Sequence, residues 1–189
     1  TASIVGISRN SFPECIHFQE CNGCPLMEQD YPAQLQAKEK YLQSLFGRVV
    51  HVEPSTEMQF YRNKVELSFL NGKLGFRRKA NFSESFSAHH CLLVSEQAQQ
   101  VTQFLEKELN ELSLGGKVRY VVFREGKRTA EFLVTLVSKT LEIEKEMEKI
   151  AHKLMGQFKV TGVVWLLNNT LSDTAQGTFV KVWGKSSVE

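Results

Sequence analysis

The chain is sparing in most of the features that usually announce a function. Its 189 residues hold only four cysteines, too few for a disulfide scaffold. The longest apolar run, Val163 to Leu167, is far shorter than the ~20 residues a membrane-spanning helix needs. The first ten residues, TASIVGISRN, lack an apolar core of leader-peptide length. A cytoplasmic protein with no membrane partner is the expectation. No strand–glycine-rich loop–helix unit of the GxGxxG kind occurs, so the dinucleotide-binding fingerprint is missing. Net charge is only +2, too small to imply a nucleic-acid partner by itself. Hydrophobic residues make up 42% of the chain, which is ample for a packed core.

The few cysteines are not spread evenly. Cys15, Cys21 and Cys24 fall in one polar stretch, CIHFQECNGC, and Cys91 stands alone downstream. In a reducing compartment such a cluster more often binds metal or does redox chemistry than forms disulfides. A C-x5-C-x2-C loop lets three thiolates converge, and Gly23 permits the tight backbone between two of them. Four thiolates suit tetrahedral zinc or an iron–sulfur cluster. The second C-x2-C knuckle usual for zinc is missing, and three ligands in one loop plus a remote fourth lean towards a cubane [4Fe–4S] cluster. His17 inside the loop and His90 beside Cys91 are alternative ligands.

Periodicity predicts the rest. Asp30 caps a helix with Pro32 in its first turn; Tyr31, Leu35, Leu42, Leu45 and Phe46 form its apolar side, and Gly47 ends it. A short strand over RVVHVEP follows. YRNKVELSFL and KLGFRR flank Asn71-Gly72, a tight-hairpin signal, with Val65, Leu67 and Phe69 on one face. A second helix over Val94–Leu112 carries Ala98, Val101, Phe104, Leu105 and Leu109, stopped by Gly115-Gly116. A second hairpin turns near Glu125-Gly126. Thr140 caps a third helix with Leu141, Met147, Ile150, Ala151 and Leu154 inward, and a final strand pair is joined by TLSDTAQ. Strand pairs alternating with helices predict an α+β fold of antiparallel hairpins covered on one side, preceded by an irregular cysteine loop. The loop occupies residues 1–30 and the α+β domain 31–189, with a weak internal boundary near 113–116.

Charge is segregated along the chain. Tyr61–Ala80 holds six basic residues and one acidic, and Lys117–Arg128 five and one, whereas Ser95–Leu112 holds four acidic and one basic. The basic hairpins are either solvated edges guarded by Lys and Arg or a nucleic-acid face. On the second reading Arg62, Lys64, Arg77, Arg78 and Lys79 contact phosphate and Phe76 stacks on a base.

The stretch CIHFQECNGCPLMEQDYPAQLQAK resembles the cluster signature of S-adenosylmethionine-dependent RNA uracil-5-methyltransferases, which pair C-x5-C-G-G-C with a Tyr-x-x-Gln-Leu-x-x-Lys helix. Here the helix residues are Tyr31, Gln34, Leu35 and Lys38, and Asn22 stands where the family has its first glycine. YRNKVELSF resembles the family's Tyr-Arg-Asn strand and GFRR its hairpin return. The resemblance implies a [4Fe–4S] cluster on Cys15, Cys21, Cys24 and Cys91 and an RNA partner, tRNA or rRNA; a monomer is the expectation. It places S-adenosylmethionine, the nucleophilic cysteine and the glutamate base in a C-terminal domain that this chain does not contain. The chain itself is thus expected to carry no catalytic or S-adenosylmethionine-binding residue. The alternative is a stand-alone zinc- or cluster-stabilised RNA-binding module without catalysis.

Overall fold

The computed structural model describes residues 15–188. The first ten residues and the start of the expected cysteine loop, up to residue 14, lie outside that range. The fold is α+β, with elements in the order α1 (Tyr31–Phe46), β1 (Lys64–Leu70), β2 (Lys73–Arg77), β3 (Ser85–Ser87), α2 (Glu96–Glu111), β4 (Val118–Gly126), β5 (Glu131–Ser138), α3 (Glu144–Gln157), β6 (Gly162–Leu167) and β7 (Thr178–Gly184). The seven strands form one sheet in the order β3-β2-β1-β4-β5-β6-β7. Residues 113–116 are the turn between α2 and β4, and β1 pairs with β4 across it.

Local chemistry explains most boundaries. Asp30 accepts a hydrogen bond from the Ala33 amide at 2.9 Å, and Gly47 closes α1 in the left-handed region. Asn71 and Gly72 both take positive φ, as the tight β1–β2 turn requires. Ser95 caps α2 through the Ala98 amide. That helix stops earlier than its glycines suggest: Ser113 takes the left-handed conformation and the Leu114 amide reaches back to the Leu109 carbonyl.

Val65, Leu67 and Phe69 of β1 join Val121, Phe123, Val134, Leu136, Val163 and Trp165 on one sheet face. Ala98, Val101, Leu105 and Leu109 of α2, and Met147, Ile150, Ala151 and Leu154 of α3, cover that face in a single core. Lys153 and Glu108 pair at 2.6 Å between the two helices.

Four local expectations need correction. No strand forms over RVVHVEP: the segment joins no edge of the sheet, and its Val52 amide donates to the Glu39 carboxylate on α1 instead. The Tyr61–Asn63 segment likewise precedes β1 instead of lying in it. Thr140 does not cap α3: its Oγ1 accepts from the Glu142 amide, so it stabilises a turn, and the helix begins after Ile143 with Leu141 left outside, half exposed. The side of α1 expected to be apolar buries no residue, with Leu45 and Phe46 exposed. The sheet also contains one parallel pair, β5 with β6, because α3 carries the chain back across the face between them.

Candidate cluster cavity and basic hairpin

The four cysteines, separated by up to 76 positions in sequence, line one cavity of about 430 Å³. Three arrive on the turns that precede α1, and Cys91 on the turn between β3 and α2, half-buried against the core. All four are free thiols. The Gly23 amide lies 3.3 Å from Cys21 Sγ, and a Cβ at Gly23 would meet that sulfur at 3.3 Å. Glycine therefore lets the loop close tightly on the sulfur. The loop is tied to the β2–β3 turn: the Lys79 amide donates to the Glu20 carbonyl at 2.9 Å, and Arg78 pairs with the Glu20 carboxylate.

Burial pushes the Cys21, Cys24 and Cys91 thiols above their ordinary value, because the thiolate loses hydration. Backbone amides oppose the shift at Cys21 and Cys91, and the other thiols raise each of the three further. Arg62, at the cavity wall, favours the thiolates of Cys21 and Cys24. His17 lines the same cavity, tilted against Phe86 at 4.9 Å; its Nδ1 reaches Glu20, and its buried Nε2 has no hydrogen-bond partner among the described residues. His90 is exposed and not among the lining residues. Among the described residues, no three His, Cys, Asp or Glu side chains converge closely enough to hold a single metal ion.

The residues expected to meet RNA lie on or beside this cavity. Arg62, Lys64, Phe76 and Arg77 line it. Phe76 is half-buried against the core and tilted on Phe86 at 6.1 Å. Lys64 pairs with Glu66 at 2.7 Å, and Arg78 with Glu20 and Glu84. Arg77 is engaged with Asp173, Tyr120 and the Phe82 carbonyl. Lys79 is exposed and makes no ion pair among the described residues. An aromatic that the sequence reasoning missed, Phe82, also lines the cavity and stays 63% exposed, which suits stacking better than Phe76. Its signal was position alone, the tip of a basic hairpin return.

A second cavity of about 420 Å³ adjoins the first, sharing Gly23, Cys24, Met27 and Leu93. Tyr31, Gln34 and Lys38 from the helix motif line it, and the Tyr31 hydroxyl accepts from the Ser55 amide at 2.7 Å. The motif thus braces the segment after α1 against the wall of the cysteine cavity.

Over most of its length the chain is similar to tRNA uracil-C5-methyltransferases. The chain is 27% identical over 184 residues to the tRNA (uracil(54)-C(5))-methyltransferase of Pyrococcus abyssi, covering 93% of this chain and 44% of that one. An uncharacterized RNA methyltransferase from Thermotoga maritima is 25% identical over 190 residues, 93% of this chain and 43% of its own. The crystal structure of the P. abyssi tRNA (uracil-54, C5)-methyltransferase in complex with S-adenosyl-L-homocysteine superposes with a TM-score of 0.74 at 27% identity, over 87% of this chain and 41% of that chain. No protein-family profile matches. The chain spans less than half the length of the relatives it matches.

Proposed function

We propose that this chain is the cluster-bearing, RNA-recognising part of an S-adenosylmethionine-dependent RNA uracil-5-methyltransferase that acts on tRNA or rRNA. The observation that carries the proposal is the meeting of all four cysteines at one cavity whose rim holds Arg62, Lys64 and Phe82. Those thiols would hold a [4Fe–4S] cluster. Sulfurs on one zinc ion, each about 2.3 Å from it, must crowd to a point; thiolates of a cubane bind four separate irons and stand around a space. Four thiols lining one cavity are the reason the second is proposed here. Bound there, the cluster would tie the turns before α1 to Cys91 and the sheet, a structural role for a segment with little core of its own. Arg62 would offset its negative charge.

Around it the chain's own residues do the binding. Arg62 and Lys79 would contact phosphates, with Phe82 available to an unpaired base. Lys64, Phe76 and Arg78, also expected at the RNA, would shape the surface through the pairings described above, while Arg77 would face the RNA with Asp173 as its partner in the free protein. The methyl donor and the groups that activate uracil would lie outside residues 1–189.

Purified without oxygen, the protein should be brown with about four irons and four sulfides per chain. Cys24→Ser or Cys91→Ser should bleach it. The same chain should bind uridine-bearing RNA with steep salt dependence yet transfer no radiolabelled methyl group, while the longer parent does. A colourless protein with one zinc would overturn the cluster, and methyl transfer by this chain would overturn the division of labour.

A further inference from the structure

Arg77 and Tyr120 reach the same carboxylate from different strands. Arg77 Nη2 lies 2.9 and 2.8 Å from the two oxygens of Asp173 and donates to the Tyr120 hydroxyl at 3.2 Å. The Tyr120 hydroxyl also bonds Asp173 Oδ1, and Arg119 Nη2 stands 3.7 Å from it. Asp173 belongs to the irregular connection between β6 and β7. Its side chain is 60% exposed, whereas those of Arg77 and Arg119 are 28% and 10% exposed. The carboxylate is therefore the outermost part, and the donors beneath it are fixed by other bonds. Arg77 Nη1 donates to the Phe82 carbonyl at 2.6 Å. Arg119 donates to the carbonyls of Asn168, Thr170 and Ser172.

Arg119 and Tyr120 are neighbours in sequence, and in a regular strand their side chains would point to opposite faces. The β4–β5 register shifts between Val118 and Tyr120, and such an irregularity re-aims a side chain. Here it brings both residues to one anion. Two guanidiniums and a phenol around one carboxylate leave a net positive charge, and guanidinium forks match phosphate as well as carboxylate. Phe82, exposed at the cavity mouth, is attached to the same Arg77 through its carbonyl.

We propose that Arg77, Arg119 and Tyr120 form a phosphodiester site for unpaired RNA, occupied in the free protein by the Asp173 carboxylate, with Phe82 stacking on the adjoining base. This rests on the RNA-recognition reading above. A backbone phosphate displaces the Asp173 carboxylate, which rotates into solvent about its own side chain while the Asn168, Thr170 and Ser172 carbonyls keep Arg119 in place. Asp173 thereby screens the site against weak anions and yields to a strand that also offers a base to Phe82.

The test measures binding of a labelled oligouridylate to the 189-residue chain at low salt, for wild type, Asp173→Asn, Arg77→Gln and the double variant. Removing the competing charge should tighten binding about fivefold, the scale of one exposed charge interaction. Arg77→Gln should weaken binding more in the Asp173→Asn background than in wild type, because only there is the guanidinium unmasked. Phe82→Ala should weaken binding about tenfold, as loss of one stacked base does. If wild type binds but Asp173→Asn binds equally or more weakly, or the two substitutions are additive, Asp173 is only a loop clamp and the proposal fails while RNA recognition stands. Binding by none of the four proteins refutes both. Thermal melts accompany each variant, and the additivity comparison remains decisive where a single variant is less stable.

Discussion

Glu106 offers a sharp test of how the sheet edge is held to its helix. It lies on α2 with its side chain only 12% exposed, and accepts from the Leu74 amide at 2.7 Å and from the Ser87 hydroxyl at 2.8 and 2.7 Å. His89 and Lys73 stand 3.5 and 3.9 Å away. One carboxylate thus fastens β2 and β3, the strands bearing Phe76, Arg77 and Phe86, to the helix beneath them. Glu106→Ala leaves the amide and the hydroxyl without acceptors, each a hydrogen bond to a charged group worth about 1.5–3 kcal/mol. Lys73 is more than half exposed and adds little. The expected loss is about 3–5 kcal/mol, a large part of the 5–15 kcal/mol typical of a domain. Glu106→Gln keeps an acceptor and should cost about 1–2 kcal/mol. Urea unfolding of the three proteins measures this, and a cycle with Ser87→Ala should show coupling of at least about 1 kcal/mol. An Ala variant within 0.5 kcal/mol of wild type, a threshold set by the usual effect of neutral surface changes, would refute the argument.

Gly75 makes a second test. A Cβ there would stand 1.8 Å from the Phe86 carbonyl oxygen, so Gly75→Ala must separate β2 from β3 and should cost about 3 kcal/mol or more by the same unfolding assay. Equal stability would mean that the strands are not so close. The thiols give a pH test on cluster-free, reduced protein. Burial raises the Cys21, Cys24 and Cys91 thiols, so iodoacetamide should react with them more slowly at pH 8 than with free cysteine, and the midpoint should lie higher. The unfolded chain releases these protons first as pH rises. Stability from the protonated thiols is therefore complete below the ordinary cysteine value and declines above it. Faster alkylation than free cysteine would contradict the burial.

Much of this protein was legible in the one-dimensional chain wherever a neighbour in sequence supplies the physics. Asp30 and Asn71-Gly72 act within three residues of themselves, and the 3.6-residue spacing of Ala98, Val101, Leu105 and Leu109 reports a buried face directly. The spacing of Cys15, Cys21 and Cys24 and the motif of Tyr31, Gln34 and Lys38 pointed to the family for the same reason: they are local. Apolar spacing misled in α1, because a stripe says that a helix could be buried and not that anything covers it. Only the tertiary structure decided which acid meets which base. Asp173 lies 96 positions from Arg77, and Glu20 lies 58 from Arg78. Nothing in the basic run around Arg77 shows that its charge is already answered. That pairing exists because sheet register, a strand irregularity and a connecting loop bring distant segments within hydrogen-bond reach. The same closure carried Cys91 to the other three thiols.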